Sequence, residues 1–418
     1  MKDKVKIGYI GLGRRGMAVL KQNLALMGDV EVSRVCDLSS ARCEAACELV
    51  LEKTGKSPIA SANYLDILND SEIDAVFIMS GWRGRPEMAM EFMRAGKYTA
   101  IEVGCAQNLD VCFELVKTYE ETGVPVMMLE NCCYGRREMM VLNMVKQGLF
   151  GEIVHCTGGY HHYLNDVELF KDIDKEEIAH YRLAHYRDEN RENYPTHELG
   201  PISKVLSINR GNRFTSLASF GTKSVGIKTY AKEKLGPDSV YAKWDYKQSD
   251  IVTTILNTAS GETVMIELDT TLPRAYYSRN FSVRGTLGMS TEERRVVFLE
   301  GMEEEIENNE AEMYEKYDHP LHKEYVKVGV KEGHDGMDWL VCRAFIESVK
   351  RGTNTPIDAY DTATWLAVGA LSEKSLAEGG SVVEFPDFTG GKWSAREPDL
   401  SGKYSLSEVV VDESVAIV

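Results

Sequence analysis

Apolar positions in the first third of the chain gather into short strand-like runs at Val5–Ile10, Val30–Cys36, Ala75–Met79, Thr99–Val103 and Val124–Leu129. Segments of helical pattern lie between them, for example Ser39–Lys53 and Leu109–Thr122. Strands separated by helices of this length predict right-handed βαβ crossovers and a parallel, doubly wound sheet. Ser39 offers a hydroxyl cap to the second helix. After a helix at Leu142–Leu149 the texture changes. Glu152–Tyr160, Phe214–Thr222, Asp250–Asn257, Glu262–Thr271, Ser278–Thr286 and Arg295–Leu299 read as strands, with Thr258–Gly261 as a hairpin turn. This pattern predicts a second domain built on a mostly antiparallel open sheet, so the fold class is α/β plus α+β. Helices at Met337–Lys350 and Tyr360–Glu378 follow an acidic stretch, Glu303–Glu312, which reads as a solvated helix or loop. The expected division is residues 1–130, 131–385 and a C-terminal extension over 386–418, with a β-prone stretch at Glu408–Val411. The closing helices of the second domain are free to pack back on the first.

Candidate chemistry begins where the first strand ends. Gly11-x-Gly13-x-x-Gly16 joins that strand to a helical pattern, and Asp37 stands at the end of the second strand, 21 residues beyond Gly16. In such a loop the first glycine permits the tight turn, the second lets the backbone approach a pyrophosphate, and the third brings helix close to strand. The helix N-terminus favours phosphate, and the carboxylate accepts hydrogen bonds from a ribose diol while repelling a 2′-phosphate. The loop, with Arg14 and Arg15, therefore predicts a dinucleotide-binding Rossmann domain that prefers NAD to NADP. Arg42 keeps NADP from being excluded. Ligands in open parallel sheets sit beyond the carboxyl ends of the strands, where Ser80, Trp82 and Glu102 stand. Trp82 reads equally as a cofactor contact or as core.

Composition narrows the partners. Forty-eight basic against 65 acidic residues give a net charge of −17, which argues against nucleic acid and anionic membrane as partners. No apolar run is long enough to cross a bilayer, and the first residues lead straight into a core strand rather than a secretory leader. Nine cysteines, scattered through core-like segments, read as reduced thiols of a cytoplasmic protein. No metal site is expected. His161-His162 alternate faces on a strand, and His180 and His185 are spaced wrongly for one helical face.

Downstream, Tyr194-Pro-Thr-His197 places a phenol and an imidazole three residues apart at the start of a predicted helix, a spacing that puts them on one face as an acid/base pair. The order Gly11–Gly16, Glu102-Val-Gly104, Glu130-Asn131, Gly158-Gly-Tyr160, Tyr194-Pro-Thr-His197, Gly211-Asn-Arg213, with Tyr277, His334-Asp-Gly-Met-Asp338 and Pro356-Ile-Asp-Ala-Tyr-Asp361 beyond it, resembles the Gfo/Idh/MocA oxidoreductase superfamily. More narrowly it resembles glycoside hydrolase family 109, NAD-dependent α-N-acetylgalactosaminidases. The resemblance runs from the N-terminus to about residue 380. It implies Glu130, Tyr160, Tyr194 and His197 as catalytic groups, with Tyr277, Arg213 and Asn131 on the sugar. Tyr276 competes with Tyr277, and Glu130 reads either as an acid or as a hydrogen-bond acceptor.

Ordinary sugar dehydrogenases of the superfamily carry Glu-Lys-Pro on the fifth strand and Asp-x-x-x-His in the second domain. Here the lysine position is Val103, the proline position Gly104 and the aspartate position Asn193. Val103 moves no proton. The resemblance thus implies redox-assisted glycoside cleavage: transient oxidation at C3, deprotonation at C2, elimination, hydration and re-reduction, with NAD not consumed. Two rivals share the fold, an NAD-dependent sugar or cyclitol dehydrogenase, including one that forms 3-keto sugars, and a non-catalytic sugar or dinucleotide sensor. A homo-oligomer acting on a small glycoside is the expected form.

Overall fold

The computed structural model describes residues 2–171, 180–302, 306–327, 329, 333–397 and 402–407. Six parallel strands, β1 (Val5–Ile10), β2 (Val30–Cys36), β3 (Ile59–Ser61), β4 (Ala75–Ile78), β5 (Tyr98–Ile101) and β6 (Val126–Met128), form one sheet in the order β3-β2-β1-β4-β5-β6. The order reverses beside β1, which is the switch point where such sheets bind ligands. Ser39 accepts from the amide of Arg42, capping the helix Ser40–Thr54. The short edge strand β3 has an exposed, weakly apolar sequence and carries no strand signal.

The second sheet has eight strands: β7 (Ile153–His161), β8 (Phe214–Gly221), β9 (Ile251–Thr258), β10 (Thr263–Asp269), β11 (Ser282–Gly285), β12 (Gly288–Thr291), β13 (Val296–Leu299) and β14 (Val383–Glu384). Their order is β13-β12-β11-β7-β10-β9-β8-β14, antiparallel except for the parallel pair β7 and β10. Thr258–Gly261 is the hairpin turn, with Gly261 at φ 102°. The run Ser278–Thr286 is not one strand. Ser278 makes an isolated bridge to His161, Asn280 turns left-handed at φ 48°, and pairing resumes only at Ser282. The helix expected at Leu142–Leu149 lies at Arg136–Lys146, because Gln147 and Gly148 end it. Of the acidic stretch, Glu303–Glu305 lie outside the described residues, as does Glu408–Val411, while Glu310–Tyr317 is a helix.

The two sheets share a core through the closing helices, Met337–Arg351 and Ala359–Ala377. Phe345 meets Phe77 of β4 edge-on at 5.0 Å, and the Ala106 amide donates to the carbonyl of Leu366 at 3.0 Å. Ala359–Ala377 is buried around most of its circumference, as a helix between two layers must be. Its start is fixed by a capping box of Asp358 and Asp361. This packing sets Glu130, just after β6, against the first turn of the helix Thr196–Val205 at His197, where the candidate site lies.

Candidate active site

The glycine loop has the shape its chemistry requires. Gly11 sits at φ 92°, and a Cβ there would lie 2.6 Å from the amide nitrogen of Ser80. A Cβ on Gly16 would lie 2.0 Å from the carbonyl oxygen of Gly11. Gly13, by contrast, has nothing within 4 Å on that side, which is the open face a pyrophosphate needs. The helix Arg14–Gln22 starts there with no side-chain cap and no acid in its first turn. Asp37 is held at the loop by the amides of Leu12 and Ser39, at 2.7 and 2.9 Å. Arg42 stands 3.9 Å from it, so the ribose position is dominated by the carboxylate. Gly11, Gly13, Gly16 and Asp37 thus fit a dinucleotide. Arg14 turns aside to the carbonyl of Val167.

Arg15 anchors a network rather than projecting freely. Its guanidinium donates to Glu102 at 3.1 Å and to both oxygens of Asp338 at 2.6 and 2.8 Å. Asn131 donates to Asp338 at 2.8 Å, and His334 meets the same carboxylate at 2.8 Å. Burial pulls the Asp338 carboxyl upward, but Arg15 and His334 hold it far below its ordinary range. Gly333 to Gly336 all have positive φ, so His334 and Asp335 sit in a conformation kept only where packing enforces it. Asn131, expected on the sugar, is buried and spent on Asp338.

Trp82 is 2 % exposed and packs with Tyr181, His185 and Tyr194. Gly104 makes room for it: a Cβ at that residue would lie 2.5 Å from the indole Cδ1. Ser80 contributes its carbonyl, which accepts from Arg85. Val103 is core, and Asn193 is buried with its amide on Gln248, so neither reaches the proton chemistry of a dehydrogenase.

The catalytic candidates converge. His197 lies in the first turn of Thr196–Val205, while Tyr194 precedes that helix, Pro195 being its N-cap. The rings still meet, edge to face at 4.9 Å. Tyr160 stacks obliquely on Tyr194 at 4.4 Å and stands 5.5 Å from His197 and 6.3 Å from Tyr277. Its hydroxyl is 3.1 Å from Nδ1 of His162. Of Tyr276 and Tyr277, it is Tyr277 whose ring meets this cluster, while Tyr276 donates outward to Glu293. Glu130 is fully buried, with His197 Nδ1 at 2.9 and 3.1 Å from its two oxygens and the Cys132 amide donating to it. Burial alone would raise this carboxyl; the charge and hydrogen bond of His197 hold it below its usual value. Glu130 therefore holds the His197 ring through Nδ1. Burial, with Tyr160 beside it, pushes the Tyr194 phenol well up, so it is a neutral donor at neutral pH. Glu130, Cys132 and His197 bring ligand-type atoms within 4.8 Å of one another. Burial raises the Cys132 thiol well above its usual value and His197 occupies the carboxylate, so the trio reads as a hydrogen-bonded cluster.

Against this geometry the comparisons are specific. The model described as "Oxidoreductase family, NAD-binding Rossmann fold" matches residues 5–130. The model "Glycosyl hydrolase 109, C-terminal domain" matches residues 134–395, more than half of the chain. The chain belongs to glycoside hydrolase family 109. Its relatives include a glycosyl hydrolase family 109 protein of Stenotrophomonas maltophilia, 37% identical over 96% of this chain and 93% of that one. An alpha-N-acetylgalactosaminidase of Tannerella forsythia is 36% identical over 94% and 88%. Among solved structures, levoglucosan dehydrogenase in complex with NADH and levoglucosan aligns with a TM-score of 0.66 over 92% of this chain and all of its own. At 15% identity that likeness concerns the fold alone. The family 109 chain is an NAD-dependent glycosidase, and NAD is its cofactor.

Besides Asn131, two arginines change the sequence-based picture of this family 109 site. Arg213 is not brought to it. Arg213 precedes β8, beside the Thr258–Gly261 hairpin, and its guanidinium donates to the carbonyls of Phe214 and Phe385. Tyr160 pairs with Leu268, at the other end of β10 from that hairpin. Arg182, which no spacing singles out, does reach the aromatic cluster. Its guanidinium lies 4.6 Å over the Tyr194 ring and 5.1 Å over Trp82, and it pairs with Glu168. Its sequence cue is an arginine among aromatics, between Tyr181 and His185. Among the described residues no helix is long and apolar enough to cross a membrane.

Proposed function

We propose that this glycosidase cleaves an α-N-acetylgalactosaminide by transient oxidation of the sugar at C3 rather than by direct displacement at C1. The sugar class rests on the relatives so named, at 36% identity over most of the chain. The observation that carries the mechanism is the Glu130–His197 pair, stacked with Tyr194 and Tyr160 beside the glycine loop, with inert Val103 at the dehydrogenase lysine position. Among the described residues the neighbouring carboxyls are either paired, as Glu102 is with Arg15, or fully buried, as Glu192 and Glu198 are. This does not suit the two-carboxylate scheme of most glycosidases, and NAD-dependent glycosidases are exceptions to that scheme.

NAD held by the Gly11–Gly16 loop and Asp37 supplies the acceptor for the C3 hydride and its donor when the sugar is restored. The chain's own residues move protons. His197, through Nε2, takes the C3 hydroxyl proton as that oxygen becomes a carbonyl, and Glu130 stabilises the resulting imidazolium. The ketone acidifies C2–H. With the first proton released to solvent, His197, flanked by the neutral phenols of Tyr194 and Tyr160, removes the C2 proton and passes it to the glycosidic oxygen as the C1–O bond breaks, so that the aglycone leaves as an alcohol. Water then adds its hydroxyl to C1 and a proton to C2, and the C3 oxygen regains its proton as the hydride returns. Arg182, stacked on Tyr194, holds the aromatic wall in place.

A panel of 4-nitrophenyl glycosides, including the α-N-acetylgalactosaminide, assayed with and without added NAD⁺ tests this reading. The expected result is nitrophenolate release that depends on bound NAD, with no net rise in NADH absorbance. NADH accumulation from the free sugar, with every glycoside left whole, supports the sugar or cyclitol dehydrogenase instead.

A further inference from the structure

Two carboxyl groups flank the Tyr194–His197 turn, and among the described residues no cation pairs with either. Glu192 and Glu198 are both fully buried. One oxygen of Glu192 accepts from the Tyr194 amide at 3.2 Å; the other, and both oxygens of Glu198, have no hydrogen-bond partner. Glu198 packs on β7 at Gly158, where a Cβ would lie 2.5 Å from its own Cβ.

The charged groups facing the pair are committed elsewhere. Glu130, on the loop after β6, holds His197. Arg279, before β11, is paired with Glu138 at 2.9 Å. Glu267 of β10 meets His161 of β7 at 3.1 Å. Arg191, next in the chain to Glu192, turns to Glu373 and Glu189. Buried carboxylates without a partner are relieved by taking up a proton.

We propose that Glu192 and Glu198 are each held as a neutral carboxyl group and that together they position the Tyr194–His197 turn. Both are positioning residues, and their link to turnover rests on the reading of Tyr194 and His197 as proton-transfer groups. Burial raises both carboxyls, and Glu192 adds its repulsion at Glu198. A carboxyl raised on folding contributes stability that is fully present below the ordinary glutamate range and is lost as pH rises through the raised value. Loss of either proton in alkali thus puts unpaired negative charge beside the catalytic turn, for Glu198 against β7 at Gly158, and moves His197 off Glu130.

The test compares wild-type full-length enzyme with Glu198→Gln and Glu192→Gln, which keep size and neutrality without an ionisable proton. The expected result is that the alkaline limb of kcat moves up by about one pH unit or more in the glutamine variants, with KM little changed. In parallel, Tm of the wild type falls relative to the variants from neutral to alkaline pH, and the gap closes below the ordinary glutamate range. A Glu198→Lys variant, which fixes a charge there, loses activity at every pH. Identical alkaline limbs and identical Tm profiles overturn the proposal. Failure of both glutamine variants to fold also overturns it, since a neutral side chain of that size is what the site is held to contain. The thermal profile needs no turnover, so it separates a failure of this pair from a failure of the glycosidase mechanism.

Discussion

His197→Ala lowers turnover by roughly 10²–10⁴, the range for a lost acid/base group, while NAD stays bound. The size follows from the double use of one imidazole. His197 is the group through which Glu130 acts, and it faces both Tyr160 and Tyr194. Nothing among the described residues replaces it, because His162 is turned to the Tyr160 hydroxyl and His161 to Glu267. The cofactor loop makes none of these contacts, so NAD released on denaturation remains equimolar with the variant. The variant also leaves the fully buried Glu130 without its charge partner, so its carboxyl rises under burial and takes up a proton. Turnover near that of the wild type assigns His197 a structural role.

Asp338→Ala has the largest expected effect on stability. Asp338 is buried and accepts from Arg15 twice, from Asn131 and from His334. Removing one side of such a network strands the charge and donors of the other, at a cost of about 3–5 kcal/mol. The same change frees Arg15 beside the glycine loop, so NAD binding weakens together with the fold. The sign with pH is fixed by the depressed carboxyl: its contribution is present above the ordinary aspartate range and is lost as pH falls through the lowered value. Denaturant unfolding at neutral and acid pH checks both parts. The difference from wild type is large at pH 7 and shrinks in acid. Equal stability at pH 7 contradicts the network.

What the chain discloses about itself divides along physical lines. The glycine loop, Asp37 and the five more deeply buried parallel strands are local signals, each set by backbone geometry or apolar pattern within a few residues, and they are legible. So is the pair Tyr194 and His197, although Pro195 places the tyrosine ahead of the helix rather than in it. Edge strands such as β3 and β14 are too short and too exposed to stand out. Contacts made by tertiary packing are the ones that escape. Asp338 lies 323 residues from Arg15 and 207 from Asn131, so no spacing predicts that both end on one carboxylate. Arg182 reaches the site through its stack on Tyr194 and Trp82, whereas Arg213, fixed by hairpin carbonyls, remains at the far end of the sheet. Glu130 is legible as a residue of the candidate site, and the structure adds what spacing cannot: its carboxylate is closed off from solvent and turned on the His197 imidazole.

Turnover of an α-N-acetylgalactosaminide in D₂O tests the central claim most directly. Oxidation at C3 makes the C2 proton exchangeable, and elimination followed by addition of water replaces it from solvent. The account predicts deuterium at C2 of the released sugar, seen by mass and by loss of the C2 proton resonance, with NADH absorbance unchanged at the end of the reaction. Direct displacement at C1 never breaks the C2–H bond. Aglycone release with hydrogen retained at C2 contradicts the account.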